Sequence, residues 1–131
     1  MQFKPLVFVL ATTLMMASCA KENDDVLTDD RDQFTGTWNC SETENSNPPV
    51  TVTFQLTISK KGTADTVQVD NFNNLGSGFK AIFLVSGTSV AIPTQSVGGF
   101  QVTEGSGFLS GNKISLIYKV DNISYTAECT R

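Results

Sequence analysis

Carboxylates are the candidate acids and bases of this chain, because it contains no histidine. Histidine is the commonest general base, the commonest metal ligand and the usual activator of a serine nucleophile. Strand alternation places only Glu104 on an apolar face, beside Val102, and a buried carboxylate is a candidate functional group. Glycoside hydrolysis needs two such groups, and no second one is identifiable. We therefore predict that the chain is not an enzyme and uses no cofactor. A second carboxylate would have to come from Glu42, Glu44, Asp65, Asp70, Asp121 or Glu128.

A polar loop follows the third strand that we predict. It contains Asp70 with Asn71, Asn73 and Asn74, whose oxygens are of the type that binds calcium. Their spacing departs from the known calcium loop, and no bidentate glutamate follows at the right distance, so we predict turns and no metal. Long polar loops on rigid scaffolds often bind ligands. The three asparagines, together with Gln95, are therefore the candidate ligand-binding residues.

An apolar segment near the N-terminus ends in a cysteine. A lysine, an apolar run over residues 6–16 and the small Ala17-Ser18 are typical of a secretory signal, and the run is shorter than the roughly 20 residues that span a bilayer. The stretch Met15-Met-Ala-Ser-Cys19 resembles a bacterial lipobox, although Met16 stands where Leu, Val or Ile is usual. The resemblance implies a signal peptide over residues 1–18 and lipid, including palmitate, attached to Cys19. The alternatives are a cleaved signal with a free cysteine, or a short buried helix.

The next segment, residues 19–33, is strongly acidic. Six of the 13 acidic residues of the chain lie between Glu22 and Asp32, which indicates a flexible, solvated tether. Lys21 to Asp25 resemble the export signal of surface lipoproteins of the Bacteroidota. That resemblance implies an outer-membrane protein anchored by lipid and favours the cell surface, with the periplasmic face as the alternative. The net charge of −4 and the lack of a basic patch argue against a nucleic-acid partner.

Residues 34–131 alternate apolar and polar side chains, the pattern of half-buried strands. Thr51–Ser59, for example, places Val52, Phe54, Leu56 and Ile58 on one face. About eight strands joined mostly by short turns predict a single all-β domain, an antiparallel meander that closes into a barrel. A two-sheet β-sandwich is the alternative.

Two cysteines remain once Cys19 is assigned to lipid. In an exported protein Cys40 and Cys129 are expected to pair, the alternative being two free buried thiols. Cys40 shares the face of Trp38 in the first strand, and Cys129 shares the face of Tyr125 in the last. Only in a closed meander are those strands neighbours, so we predict a disulfide that fastens the barrel.

Phe34-Thr-Gly36-Thr-Trp38 resembles the Gly-x-Trp that opens the first strand of lipocalin-like barrels, where the tryptophan plugs the closed end. Residues 71–76, 92–95 and 105–115 resemble a group of small uncharacterised lipoproteins of the Bacteroidota, a likeness that implies no activity. An eight-stranded barrel is only just wide enough for its own side chains. A mostly filled interior is therefore expected, with any ligand at the barrel mouth or outside. The rings on apparent inward positions are Trp38, Phe54, Phe72, Phe100, Tyr118 and Tyr125.

These features favour an envelope lipoprotein, held to the membrane by its lipid, with a non-catalytic, lipocalin-like binding barrel. Its partner would be a small apolar ligand, an extended ligand or another protein. A cavity lined by Phe83, Val85 and Phe100 would favour a small ligand. The alternative is a structural or protease-inhibitor-type envelope protein that acts through protein contacts, with its N-terminal tail blocking the protease.

Overall fold

A computed structural model describes residues 29–131 of the protein. Nine antiparallel strands follow a short N-terminal 3-10 helix, Asp30–Gln33, and a second 3-10 turn, Phe72–Asn74, lies between the third and fourth strands. The strands are β1 (Gly36–Glu44), β2 (Val50–Lys60), β3 (Thr66–Asp70), β4 (Lys80–Ser86), β5 (Ser89–Ile92), β6 (Gln95–Val97), β7 (Phe100–Ser110), β8 (Lys113–Val120) and β9 (Ile123–Thr130). No helix among these residues is long and apolar enough to cross a membrane.

The sheet closes on itself. Neighbouring strands pair from β1 through β5 and again from β7 through β9. β9 pairs with β1, and β5 pairs with β7, so the eight strands form a closed ring. The predicted all-β barrel of eight strands is therefore confirmed, and the sandwich alternative is wrong. One strand, β6, is additional to these eight, and it pairs with the start of β7. The sequence does not predict β6, because proline interrupts a sheet ladder and pairing resumes only two residues after Pro93.

A disulfide joins the first and last strands, as predicted. Cys40 and Cys129 are directly opposite each other in the β1–β9 ladder, with their Cα atoms 4.0 Å apart and 89 residues of separation. Both side chains are buried. The bridge therefore fastens the barrel from inside.

One end of the barrel is closed by the chain that precedes β1. Trp38 is fully buried there, and its indole Nε1 donates a hydrogen bond of 2.7 Å to the carbonyl of Phe34. The guanidinium of Arg131 lies 4.2 Å above the indole ring. Gly36 has φ +123°, and a Cβ at this position would lie 3.4 Å from Arg131 Nη1. The glycine thus lets the chain turn close beneath Arg131.

Residues 29–33, the last part of the predicted tether, contact the barrel. Arg31 is buried and donates hydrogen bonds to the carbonyls of Gly62 and Thr66, at 3.2 and 3.1 Å. The Asp29 carboxylate accepts from the Arg31 side chain and lies 3.3 Å from Lys60 Nζ. Residues 29–33 therefore pack against the closed end, because their charged side chains form hydrogen bonds and an ion pair with the barrel. Cys19 and the remainder of the predicted tether and signal lie outside the described residues.

Two predicted inward positions on β7 are wrong. The register shifts between Thr103 and Ser106, and Glu104 takes φ +51° inside this irregularity. A bulge interrupts the two-residue alternation, so Glu104 points outward and pairs with Lys119 at 2.8 Å. Phe100 occupies the first position of β7, beyond the buried layer that begins at Val102, and is 42% exposed.

Candidate functional site

The other end of the barrel is open. Here β1 ends and β2 begins, and β3 reaches only Thr57–Lys60 of β2. The upper half of β2 is consequently paired with β1 alone. Val50 and Val52 alternate with the buried Leu56 on the inward face, yet they are 53% and 39% exposed. The inner wall is therefore accessible to solvent at this end.

A buried carboxyl group lies just inside the open end. Glu42 follows Trp38 and Cys40 on the inward face of β1 and is 2% exposed. The Tyr118 hydroxyl donates a hydrogen bond to its Oε2, and the Asn73 amide donates to its Oε1 at 2.8 Å. Strands β1 and β8 and the 3-10 turn before β4 thus converge on one carboxyl group.

Burial changes the acidity of this group. Desolvation raises the pKa of Glu42 to about 7, since the charged form is disfavoured away from water. The hydrogen bond from Asn73 opposes the rise in pKa, and the neighbouring charge of Glu44 adds to it. Glu42 therefore changes protonation near neutral pH, where an exposed glutamate would be fully ionised.

A second glutamate–tyrosine pair lies beside the first. The Tyr125 hydroxyl donates to Glu44 Oε2 at 3.2 Å. Burial, followed by the nearby Glu44 charge, raises the pKa of Tyr125 to about 12, so its hydroxyl remains a donor at physiological pH. The rings of Tyr118 and Tyr125 are stacked with centroids 5.7 Å apart, and Phe72 packs 4.7 Å from Tyr118. This aromatic packing fixes the positions of both hydroxyls.

Both glutamates and Tyr125 line a small cavity, which we call the mouth pocket. Its volume is about 150 Å³, and its lining consists of Glu42, Glu44, Val50, Val52, Asn73, Asn74 and Tyr125. Two carboxyl groups provide hydrogen-bond acceptors and negative charge, and two valines provide apolar contact. The pocket therefore suits a group that is a hydrogen-bond donor or a cation at one end and apolar along its length.

The predicted ligand residues of the asparagine loop divide between two surfaces. Asn73 and Asn74 line the mouth pocket, whereas Asn71 and Asn74 line a groove of about 480 Å³ on the outer wall, which we call the outer groove. The amide of Asn71 also orders the loop, because it donates to the Gln55 carbonyl at 2.6 Å and accepts from the Gly76 amide at 2.9 Å. The remaining lining of the outer groove is Thr37, Gln55, Thr57, Asp70, Gly76 and Ser77.

Gln95 lies apart from the asparagines, in the barrel wall. Its side-chain amide accepts from the Ile82 N–H and donates to the Ile82 carbonyl, both at 2.8 Å, and also donates to the Pro93 carbonyl. It thereby takes the place of a backbone peptide between β4 and β6. A ligand-binding role for Gln95 stays a prediction.

Glu42 is not among the predicted site residues, although the alternation of β1 indicates its inward position. Trp38, Cys40 and Glu42 are two residues apart along one strand, so the alternation that points Cys40 inward also points Glu42 inward. Alternation instead favours Glu104, because it does not predict the bulge in β7. Among residues 29–131, no group of three or more Asp, Glu, Cys or His side chains is arranged to hold a metal ion.

The chain matches no protein-family model, no curated protein and no solved structure. The closed barrel is compatible with a lipocalin-like binding barrel, and any statement of function rests on the open end itself.

Proposed function

We propose that this protein is a lipid-anchored lipoprotein of the outer membrane whose barrel is a non-catalytic binding module, with its ligand held at the open end. The lipobox-like sequence ending at Cys19 supports the anchor. The mouth pocket supports the position of the ligand, because the inward side chains below it, including Trp38, Val69 and Phe83, are fully or almost fully buried. A ligand at the mouth needs no rearrangement of that packed layer.

The observation that carries the proposal is the burial of Glu42. An apolar side chain at this position would continue the face of Trp38 and Cys40 without a desolvation penalty. The chain instead places a carboxyl group there and surrounds it with two hydrogen-bond donors. Departures from the local rules of packing are expected at functional sites, and this one opens onto a cavity.

The 3-10 helix before β1 lies at the closed end of the barrel, so the segment that leads to Cys19 is joined to that end. Asp29 and Arg31 lie at the closed end, against the β2–β3 turn. Residues 19–29 would extend at most about 35 Å between the lipid and the barrel. An anchor at Cys19 would therefore be attached to the closed end of the barrel, opposite the mouth pocket.

Binding at the mouth is tested by NMR titration of the ¹⁵N-labelled protein with three probes: n-butylammonium, sodium acetate and sodium decanoate. The proposal expects n-butylammonium to shift the amide signals of Glu42, Asn73 and Tyr125, and acetate to leave them unchanged. Decanoate shifts concentrated at Phe83 and Val85 would instead place a ligand inside the barrel and overturn the proposal. So would the absence of any shift at the mouth with all three probes.

The anchor is tested separately by labelling bacteria with radioactive palmitate. The unchanged protein should incorporate label and partition into detergent, and Cys19→Ala should do neither. Cys40→Ala is the matched control, since it removes a different cysteine and should keep the label. Equal membrane partitioning of the Cys19→Ala and unchanged proteins would contradict lipidation.

A further inference from the structure

The upper half of β2 has an open edge. β2 pairs with β1 from Gly36↔Ile58 to Glu44↔Val50, but its other side meets β3 only at residues 57–60. Within residues 29–131, no strand pairs with residues 50–56 on the edge of β2 that faces away from β1. Open strand edges present unpaired N–H and C=O groups that can template another strand.

The direction of the free backbone groups follows from one hydrogen bond. Asn71 Nδ2 reaches the Gln55 carbonyl from the side away from β1. Backbone groups of alternate residues point to the same side of a strand, so the N–H and C=O groups of Thr53 and Thr51 point to that side too. Asn71 occupies the edge at Gln55. The segment above it, residues 50–54, is left open in the described structure.

The open edge runs between two concave surfaces. The mouth pocket touches the inward side chains Val50 and Val52, and the outer groove touches Gln55 and Thr57. Successive side chains of an extended peptide point to opposite faces. A strand added to this edge would therefore direct one side chain into the mouth pocket and its neighbours toward the outer wall.

The mouth pocket matches a single long side chain. Its volume of about 150 Å³ falls below the roughly 300–1,000 Å³ of pockets that enclose whole small molecules. The valines offer contact for methylene groups, and the carboxyl groups of Glu42 and Glu44 offer acceptors for a cation. Lysine and arginine combine an apolar stem with a cationic head.

We infer that the open edge of β2 binds an extended polypeptide segment by strand addition, with a lysine or arginine side chain of that segment inserted into the mouth pocket. Backbone hydrogen bonds to Thr51 and Thr53 would supply affinity, and the pocket would supply specificity, the usual division in strand addition. This inference rests on the proposed function, because it names the ligand class for the same open end.

The test uses the full chain carrying Cys19→Ala, which keeps it soluble if the anchor is lipid. The probe is a seven-residue peptide of alternating threonine and valine with a central lysine, labelled with a fluorophore. Two matched peptides serve as controls. One replaces lysine by norleucine, which keeps the stem and removes the charge, and the other carries N-methyl groups on alternate residues, which block strand pairing.

We expect the lysine peptide to bind and to protect the amides of Thr51 and Thr53 from hydrogen exchange. The norleucine and N-methylated peptides should bind at least tenfold more weakly. Equal affinity of the lysine and norleucine peptides would overturn the role of the pocket. Equal affinity of the N-methylated peptide, or protection at other strands, would overturn strand addition.

Thr53→Pro tests the edge from the protein side. It removes an N–H that faces away from β1, so the β1–β2 ladder is retained, and Thr53→Val is the matched control that keeps the N–H. Thr53→Pro should lose at least tenfold in peptide affinity while n-butylammonium still shifts Glu42, and Thr53→Val should bind normally. Retained n-butylammonium binding without any peptide binding would reject this inference alone, whereas loss of both in the unchanged protein would reject the proposed function as well.

Discussion

The hydroxyl of Tyr118 donates a hydrogen bond to the carboxyl group of Glu42, from which it is 76 residues distant in sequence. Their strands are not neighbours, since β9 lies between β1 and β8. The bond therefore spans the inside of the barrel just below the open end. It links Glu42 to Tyr118, whose ring packs against Phe72 and Tyr125.

Glu42→Gln should change how stability depends on pH. The pKa of Glu42 is about 7 in the folded protein and has an ordinary value of 4.5. Because folding raises the pKa, the associated stability is fully present below about pH 4.5 and is lost as the pH rises through about 7. The total loss is on the order of 3 kcal/mol, at about 1.4 kcal/mol per pKa unit. Urea unfolding at pH 5 and pH 8 should show most of this loss in the unchanged protein and none of it in Glu42→Gln.

The matched control is Glu128→Gln, which removes an exposed carboxylate 3.5 Å from Lys113. Exposed ion pairs contribute about 0–1 kcal/mol, so this variant should keep the pH dependence of the unchanged protein. Stability curves for Glu42→Gln and the unchanged protein that run parallel from pH 5 to pH 8 would show that Glu42 does not titrate in this range.

Removing the disulfide should destabilise the barrel equally from either side. The bridge closes a loop of 89 residues, for which the chain-entropy relation gives about 4–5 kcal/mol. Cys40→Ala and Cys129→Ala should each lose most of this free energy of unfolding, and the double variant should be no less stable than either single variant. Additive losses in denaturant titrations would contradict a shared bridge.

Gln95→Ala should open the barrel wall between β4 and β6. The change removes three hydrogen bonds, two of them to the backbone of Ile82. At about 0.5–1.5 kcal/mol each, and with Ile82 left without these partners, a loss of about 2–3 kcal/mol is expected. Hydrogen exchange should accelerate at the Ile82 amide. Gln101→Ala, at an exposed residue of β7, is the control. If both variants changed the free energy of unfolding and the Ile82 exchange rate equally, Gln95 would not hold β4 and β6 together.

The barrel could be predicted from the sequence because its determinants are local. Alternation sets which side chains point inward, short turns make consecutive strands pair, and the inward direction of both Cys40 and Cys129 requires the first and last strands to meet. Asp121 and Asn122 both adopt positive φ, 49° and 67°, in the turn between β8 and β9. This is the geometry that a two-residue hairpin loop of this composition favours.

The site could be predicted only in part, because it depends on contacts between distant elements. Alternation alone was sufficient to place Glu42 inside, but not to show that Tyr118 and Asn73 reach it. The bulge at Glu104 reverses the alternation, and this residue is neither a proline nor a glycine, so its type does not predict the bulge. The role of Gln95 depends on the gap between β4 and β6, which exists only after the barrel has closed.

The closed end offers a test that is independent of the mouth. Arg131 lies over Trp38 and donates to the carbonyls of Thr35 and Gln33, at 2.6 and 2.7 Å. Lysine would retain the charge above the ring but not the planar fork that makes two directed hydrogen bonds. Arg131→Lys should therefore lower the free energy of unfolding by about 1–2 kcal/mol, and hydrogen exchange should accelerate at Phe34 and Thr35. Lys61→Ala, an exposed position in the β2–β3 turn, should change neither quantity by as much. If Arg131→Lys left exchange at Phe34 and Thr35 unchanged, the chain before β1 would be held by Trp38 and Arg31 without help from Arg131.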